Sequence, residues 1–158
     1  MRRGPARVLA LGAAALLAWG ATGCGDAERF PDDDPRTAVS RLLLATVGQA
    51  NGARACALLT QREQRRLDEG PAGSCRGALG KVAAVLPGQT DEPSASDRTI
   101  SKLDFATRVT GERAVVRVTG RGLDLRFTLV RDDFVAPRAT DPGVPWRVDG
   151  GIEQLLRG

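Results

Sequence analysis

The sequence predicts an α+β fold in which N-terminal helices pack on a curved antiparallel sheet. Between residues 35 and 86 apolar side chains recur every three or four positions, which is typical of amphipathic helices. From Leu103 to Val130 apolar and polar residues alternate instead, which is typical of half-buried antiparallel strands. Helices followed by a run of strands indicate the α+β class.

The first helix is expected to begin at Asp34-Pro35, because Asp is a good N-cap and Pro a good first helical residue. We expect Asn51-Gly52 to end it, since this pair is typical of helix C-termini. Its apolar face comprises Val39, Leu42, Leu43 and Val47.

Three further helices are predicted before the strands. A short second helix covers residues 53–58. Thr60 and Glu63 have the spacing of a capping box, so a charged third helix should follow and end near Gly70. Ser74 can cap a fourth helix, which carries Leu79, Val82, Ala83 and Leu86 and should end at Pro87-Gly88.

Three or four strands are predicted after a loop over residues 89–97. The expected inward rows are Leu103, Phe105, Thr107 and Val109; then Ala114, Val116 and Val118; then Leu123, Leu125, Phe127 and Leu129. Val115 suggests that the second strand is buried on both faces. Turns are expected at Gly111 and over residues 120–122, and a last short strand is expected at Trp146-Arg147-Val148-Asp149.

Residues 1–23 have the pattern of an export signal. A basic start, Met1-Arg2-Arg3, precedes the uncharged apolar run of residues 8–20. That run is too short for a bilayer-spanning helix, which needs about 20 residues. The alternative is a buried N-terminal core helix, which the absence of a polar face disfavours.

The residues Ala21-Thr22-Gly23-Cys24 resemble the lipobox of bacterial lipoproteins, although leucine is usual where Ala21 stands. The resemblance implies that Cys24 carries lipid and anchors an extracytoplasmic protein to the cell membrane. The alternative is a plain secreted protein that is cut nearby. Residues 24–34, with Asp32-Asp33-Asp34, are interpreted as an acidic solvated tether. A calcium site at these aspartates is disfavoured, because the spacing of known calcium loops is absent.

The formal charge of +4 overstates the basic character of the mature chain. Three of the 23 basic residues lie in the predicted leader, which leaves 20 basic against 19 acidic residues. No basic block with interleaved aromatic residues is present, so nucleic acid is not an expected partner.

The remaining cysteines, Cys56 and Cys75, are expected to form a disulfide outside the cytoplasm. A redox-active pair is disfavoured because the spacing is not CxxC. We expect no metal, because the chain has no histidine and two thiolates provide only half of a structural zinc site. No cofactor motif is present either.

The segment Asn51-Gly52-Ala53-Arg54-Ala55-Cys56-Ala57-Leu58-Leu59-Thr60 resembles a stretch of small secreted actinobacterial proteins. The resemblance spans residues 35–149. It continues at Cys75, residues 113–119, Leu129-Val130 and Trp146-Arg147-Val148. The resemblance implies one domain, residues 35–158, with the cone-shaped fold of nuclear transport factor 2 and ketosteroid isomerase. Residues 134–145 replace the usual tight turn and are expected to form a mobile loop at the mouth of the cone.

The sequence favours a non-catalytic binding or protein-interaction domain. Without histidine or tyrosine, the commonest general base and the phenolic donor of related isomerases are missing. The candidates for a pocket lining are Leu125, Phe127, Leu129 and Trp146, which would take a small apolar ligand unless they fill the core. An envelope protein is the other expected partner. The alternative function is an isomerase or lyase that uses a carboxylate alone, with Asp104 or Asp124 as base.

Overall fold

The computed structural model describes residues 29–82, 99–132 and 143–157. The predicted leader, Cys24, the end of the fourth helix at Pro87-Gly88 and most of the 134–145 loop lie outside the described residues. The described chain consists of N-terminal helices and a four-stranded antiparallel sheet, which confirms the α+β class. The helices are α1 (Pro35–Leu43), α2 (Gly52–Ala57), α3 (Gln61–Asp68), α4 (Cys75–Gly80) and α5 (Glu153–Leu156), and the strands are β1 (Asp104–Thr110), β2 (Arg113–Gly120), β3 (Leu123–Arg131) and β4 (Trp146–Gly150).

Helix α1 begins as predicted, because the side chain of Asp34 accepts a hydrogen bond from the backbone N–H of Arg36 at 2.8 Å. The helix continues into a π-helical segment, Leu44–Gly48. The helical segment ends at Gly48, slightly before the predicted Asn51-Gly52, and the backbone N–H of Asn51 donates to the carbonyl of Ala45 at 2.7 Å. Asn51 therefore contributes to this helix end, and its side chain also accepts from the backbone N–H of Arg54 as the N-cap of α2, which the sequence did not predict.

Helices α3 and α4 start at the predicted caps. The backbone N–H of Glu63 donates to the Thr60 hydroxyl, and the N–H of Gly77 donates to the Ser74 hydroxyl. Only half of the capping box forms, because the buried Glu63 carboxylate accepts from the guanidinium of Arg66 instead of the Thr60 backbone.

Cys56 of α2 and Cys75 of α4 form the predicted disulfide, with Cα atoms 6.1 Å apart. The two helices pack so closely that a Cβ atom on Gly52 would lie 2.0 Å from the carbonyl oxygen of Arg76. Any residue larger than glycine at position 52 would therefore clash with the backbone of α4.

The strands form a meander in the order β1-β2-β3-β4. Two-residue turns join β1 to β2 and β2 to β3, and glycine allows the positive φ angles that such turns need. Gly111 has φ +59°, whereas Arg121 and Gly122 have φ +52° and +82°.

Helix α1 contacts β1, β2 and β4, and the inner face of the sheet forms the core with the helices. The inward rows predicted for β2 and β3 are confirmed, with Leu123 half-buried and the rest buried. The prediction for β1 is wrong in part. Leu103 is buried and Phe105 half-buried, but Thr107 and Val109 are exposed because they lie beyond the helices' cover, with Val109 at 52% exposure.

The last six residues of the predicted tether contact the domain although most of them are exposed to solvent, with only Phe30 and Asp34 half-buried. The ring of Phe30 meets that of Phe105 edge-on at 5.4 Å, and the hydroxyl of Thr37 donates to the carbonyl of Pro31 at 2.6 Å. The indole N–H of Trp146 donates to the carbonyl of Asp33 at 2.8 Å. Phe30 supplies apolar area, so this stretch gains more from packing than its aspartates would suggest.

Candidate interaction face of the sheet

The four residues predicted as a pocket lining lie in the hydrophobic core. Leu125, Phe127 and Leu129 project from β3 and Trp146 from β4, and none is more than 8% exposed. They contribute to one cluster with the apolar side chains of the helices. These four side chains therefore act as core rather than as the wall of an open site.

The opposite face of β1, β2 and β3, called the outer face here, is mostly exposed and polar. Its side chains come from alternate residues of β1, β2 and β3, because successive side chains of a strand point to opposite faces. The strand register aligns them in four rows: Asp104, Thr119 and Asp124; Ala106, Arg117 and Arg126; Arg108, Val115 and Thr128; Thr110, Arg113 and Val130. The expected burial of both faces of the second strand is wrong, because Val115 is only half-buried and Arg113 and Arg117 beside it are exposed.

An open groove of about 470 Å³ runs over the outer face. Ala106 and Val115 provide apolar surface within it, and charged side chains surround them. The groove is lined by Ala106, Thr107, Arg108, Val115, Arg117, Asp124 and Arg126.

Arg117 and Asp124 form the ion pair of this face. The Nε of Arg117 donates to Asp124 Oδ1 at 2.7 Å and its second nitrogen to Oδ2 at 2.5 Å. This two-bond geometry stabilises the carboxylate, so the hydrogen bond from Arg117 lowers the pKa of Asp124 below its usual value. Both groups are more than half exposed, so solvent weakens the pair.

The backbone of Arg126 is held by a side chain from α5. The amide of Gln154 accepts from the N–H of Arg126 at 3.0 Å and donates to its carbonyl at 2.8 Å. The register of β4 ends at Thr128, so Gln154 replaces a neighbouring strand at this point of β3. The backbone of Arg126 is therefore held in the sheet, and its exposed side chain lies on the outer face.

Four charged side chains of the outer face form no ion pair with any described residue. They are Asp104 and Arg108 on β1, Arg113 on β2 and Arg126 on β3. Asp104 and Arg108 are also exposed. A charge that has no partner within its own chain is available to a partner molecule.

The free edge of the sheet belongs to β1. The two-residue turn makes Thr110 and Arg113 a hydrogen-bonded pair, and such pairs alternate along an antiparallel ladder. Even-numbered residues of β1 therefore bond β2, and odd-numbered residues direct their N–H and C=O groups away from the sheet. The bond of 2.6 Å from Arg29 to the carbonyl of Leu103 agrees with this pattern.

The remaining predicted site residues fall into different places. Asp34 caps α1, and Asp32 pairs with Arg41 at 2.6 Å, so two of the three tether aspartates have structural partners. Within the described ranges no group of three or more His, Cys, Asp or Glu side chains could hold a metal ion. No helix of those ranges is both long and apolar enough to cross a bilayer.

Sequence reasoning named Asp104 and Asp124 between the apolar rows but did not single out the arginines of the outer face. The sequence does contain a signal for this face, because the positions between the apolar residues of these strands are charged. They hold Asp104, Arg108, Arg117, Asp124 and Arg126. What the sequence lacks is the pairing register, which decides that Arg117 meets Asp124 while Arg108 meets Val115.

No protein-family model matches this chain, and comparisons with curated proteins and with solved structures returned no match either.

Proposed function

We propose that this protein is an exported lipoprotein, held at the outside of the cell membrane by lipid on Cys24, whose domain acts as a non-catalytic protein-interaction module. One observation carries the interaction role. The inner face of the sheet carries core side chains, whereas the outer face carries exposed charges that form no ion pair with any described residue.

The disulfide supports the proposed location. Cys56 and Cys75 are joined at the positions expected for an exported pair, and structural disulfides persist in oxidising compartments but are rare in the cytosol. The leader pattern of residues 1–23 and the lipobox resemblance at Cys24 point to the same address.

The partner favoured by this geometry is a protein rather than a small apolar ligand. The four side chains expected to line an apolar pocket are instead packed in the core: Leu125, Phe127, Leu129 and Trp146. The outer face offers a wide, charged and shallow surface instead. Such a surface suits a protein partner, because small-molecule sites are concave and mostly apolar.

No described contact favours the alternative of a carboxylate-dependent isomerase. Such an enzyme needs a carboxylate held in an apolar pocket with a pKa near the working pH. Asp104 and Asp124 are both exposed, and Arg117 lowers the pKa of Asp124.

We also propose that the fold is of the nuclear transport factor 2-like cone type. The order of helices followed by a four-stranded antiparallel meander, with the helices packed on one face, supports this proposal.

Replacement of Cys24 tests the anchor. In the producing cell, Cys24→Ala should move the protein from the detergent phase to the aqueous phase in a phase-separation assay, because the acyl chains are lost. The control variant Cys56→Ser/Cys75→Ser removes the other two cysteines and should remain in the detergent phase. If Cys24→Ala partitions like the parent protein, the lipid anchor is refuted.

A photo-crosslinking amino acid tests the interaction face. Ala106 on the outer face and Ala53 on α2 are both exposed alanines, so they provide a matched pair. The crosslinker at position 106 should capture a protein in intact cells, and at position 53 it should not. Equal capture at the two positions, or none at position 106, would count against the proposal.

A further inference from the structure

The described chain closes its open sheet edges with specific contacts, except along β1. Residues next to α2 bond β4: the N–H of Val148 donates to Leu58 and its carbonyl accepts from Thr60, at 2.8 and 3.0 Å. Where β4 no longer pairs with β3, the side chain of Gln154 bonds the backbone N–H and carbonyl of Arg126. On β1, Arg29 bonds the carbonyl of Leu103, but the outward N–H and C=O groups of residues 105, 107 and 109 have no described partner.

Strand β1 also lacks most of the features that prevent edge pairing. Natural edge strands are protected by proline, by charged side chains, lysine above all, by bulges or by a covering segment, and β1 has only the two opposite charges of Asp104 and Arg108. Residues 104–110 contain neither proline nor lysine, and the register with β2 is regular over all seven residues. Six of the seven residues are exposed. An additional antiparallel strand can therefore join the sheet at this edge.

The charges of β1 indicate which strand would fit. On its outer side the strand carries Asp104, Ala106 and Arg108 in alternate positions. If a second copy of the strand lies antiparallel to the first and is centred on Ala106, Asp104 of each copy lies opposite Arg108 of the other. The charge pattern is therefore complementary to itself about Ala106.

We propose that a second copy of this chain occupies the edge, with the two β1 strands antiparallel and a two-fold axis at Ala106. The inference rests on the proposed function, since it names a protein partner for the sheet edge that borders the outer face. Asp104 of each copy lies opposite Arg108 of the other, and Ala106 lies opposite Ala106. Opposite charges directly across a ladder stabilise it.

The backbone geometry allows this register. It places Phe105 opposite Thr107 of the other copy, and both residues direct their N–H and C=O groups outward. Each such pair exchanges two hydrogen bonds. The Arg29 contact at Leu103 marks where the shared ladder ends.

Neighbouring registers lose the charge complementarity. An axis at Thr107 places Asp104 opposite Thr110 and Arg108 opposite Ala106, so no opposite charges meet. An axis at Arg108 places two guanidinium groups opposite each other, which destabilises a ladder.

Disulfide trapping in membranes from the producing cell tests this register in the full chain. Across a non-hydrogen-bonded pair, Cα atoms are about 4.5 Å apart, which is within the range for a disulfide. Ala106→Cys should therefore give a disulfide-linked dimer under mild oxidation. Thr110→Cys is the matched control, because residue 110 lies on the same exposed strand. In the proposed register the two copies of residue 110 are far apart, so this variant should give at least tenfold less dimer.

Charge exchange in the Ala106→Cys background tests the specificity. Arg108→Asp should lower the trapped dimer at least tenfold, because it places two carboxylates opposite each other. Adding Asp104→Arg reverses both charges and should restore the dimer. Equal trapping at positions 106 and 110, or no restoration by the double exchange, would overturn the inference.

The same samples separate this inference from the proposed function. If the photo-crosslinker at position 106 captures a different protein while Ala106→Cys gives no dimer, the interaction role stands and self-pairing is wrong. If Ala106→Cys dimerises while neither Cys24→Ala nor the parent protein enters the detergent phase, self-pairing stands and the anchor is wrong.

Discussion

At the residue scale, Asp34 shows how one side chain serves both a helix and an ion pair. Its Oδ1 accepts from the backbone N–H of Arg36, and both carboxylate oxygens accept from the guanidinium of the same residue. Burial alone would raise the pKa of Asp34, but the hydrogen bonds from Arg36 outweigh it and lower the pKa below its usual value.

The lowered pKa of Asp34 makes part of the stability depend on pH. A carboxyl whose pKa is lower in the folded state stabilises the fold above its unfolded pKa, near 3.9. That contribution is lost as the pH falls through the folded pKa. Asp34→Asn keeps an acceptor oxygen for the cap but removes the charge. We expect it to lower the free energy of unfolding by at most about 1 kcal/mol at pH 6, because Arg36 is a third exposed.

Urea unfolding of Asp34→Asn and the parent protein at pH 6, 4 and 2 measures this contribution. The difference between the two proteins should shrink toward pH 2, because the parent protein loses the contribution of the carboxylate as the pH falls toward and through its lowered folded pKa. A difference that is constant over this range would show that the charge of Asp34 is not responsible.

Phe127 reports whether the inner face is filled. Its side chain is fully buried on β3, so Phe127→Ala should lower the free energy of unfolding by about 3–5 kcal/mol. Val109→Ala is the control on the same sheet and should change it by less than about 0.5 kcal/mol, since Val109 is 52% exposed. Denaturant unfolding measures both, and a near-neutral Phe127→Ala would mean that the core is open at this position.

At the element scale, local signals predicted the helix starts better than their ends. The caps at Asp34, Thr60 and Ser74 are local hydrogen bonds between a side chain and a nearby backbone N–H, so sequence spacing is sufficient to find them. Asn51 belongs to both junctions, because its backbone N–H donates to Ala45 of the preceding helical segment while its side chain caps α2. The close approach of Gly52 to α4 depends on tertiary packing, which no local pattern contains.

Gly52→Ala tests that close approach. A Cβ atom 2.0 Å from the Arg76 carbonyl forces α2 and α4 apart, so we expect a loss of roughly 1–3 kcal/mol of unfolding free energy. Gly80→Ala is the matched control in the same helix pair, because its Cβ would meet no atom closer than 3.8 Å. Thermal unfolding compares the two variants, and equal melting temperatures would contradict the predicted clash.

At the scale of the whole molecule, the α+β class and most of the inner rows were predictable, because periodicity reports which residues face the core. The exposure of Thr107 and Val109 was not, since alternation cannot tell how far the helices extend over the sheet. The pairing on the outer face escaped prediction for a related reason. Pairs on this face, such as Arg117 with Asp124, join different strands and depend on the register.

The disulfide should contribute substantially to the free energy of unfolding of this domain. It closes a loop with a sequence separation of 19 between Cys56 and Cys75, for which chain entropy predicts about 3 kcal/mol. Reduction should therefore lower the denaturation midpoint of the parent protein. The variant Cys56→Ser/Cys75→Ser should start at the lower midpoint and show no response to reductant. If reductant leaves the parent midpoint unchanged, the bridge does not stabilise the domain.

The packing of Arg29 and Phe30 against the start of β1 limits how far the domain can stand from a bilayer. Only five chain steps separate Cys24 from Arg29, and each spans at most about 3.6 Å, so a lipid at Cys24 would keep the domain within about 18 Å of the lipid surface. Two such molecules would share nearly the same height. Their encounters would then resemble a search in a plane rather than in a volume.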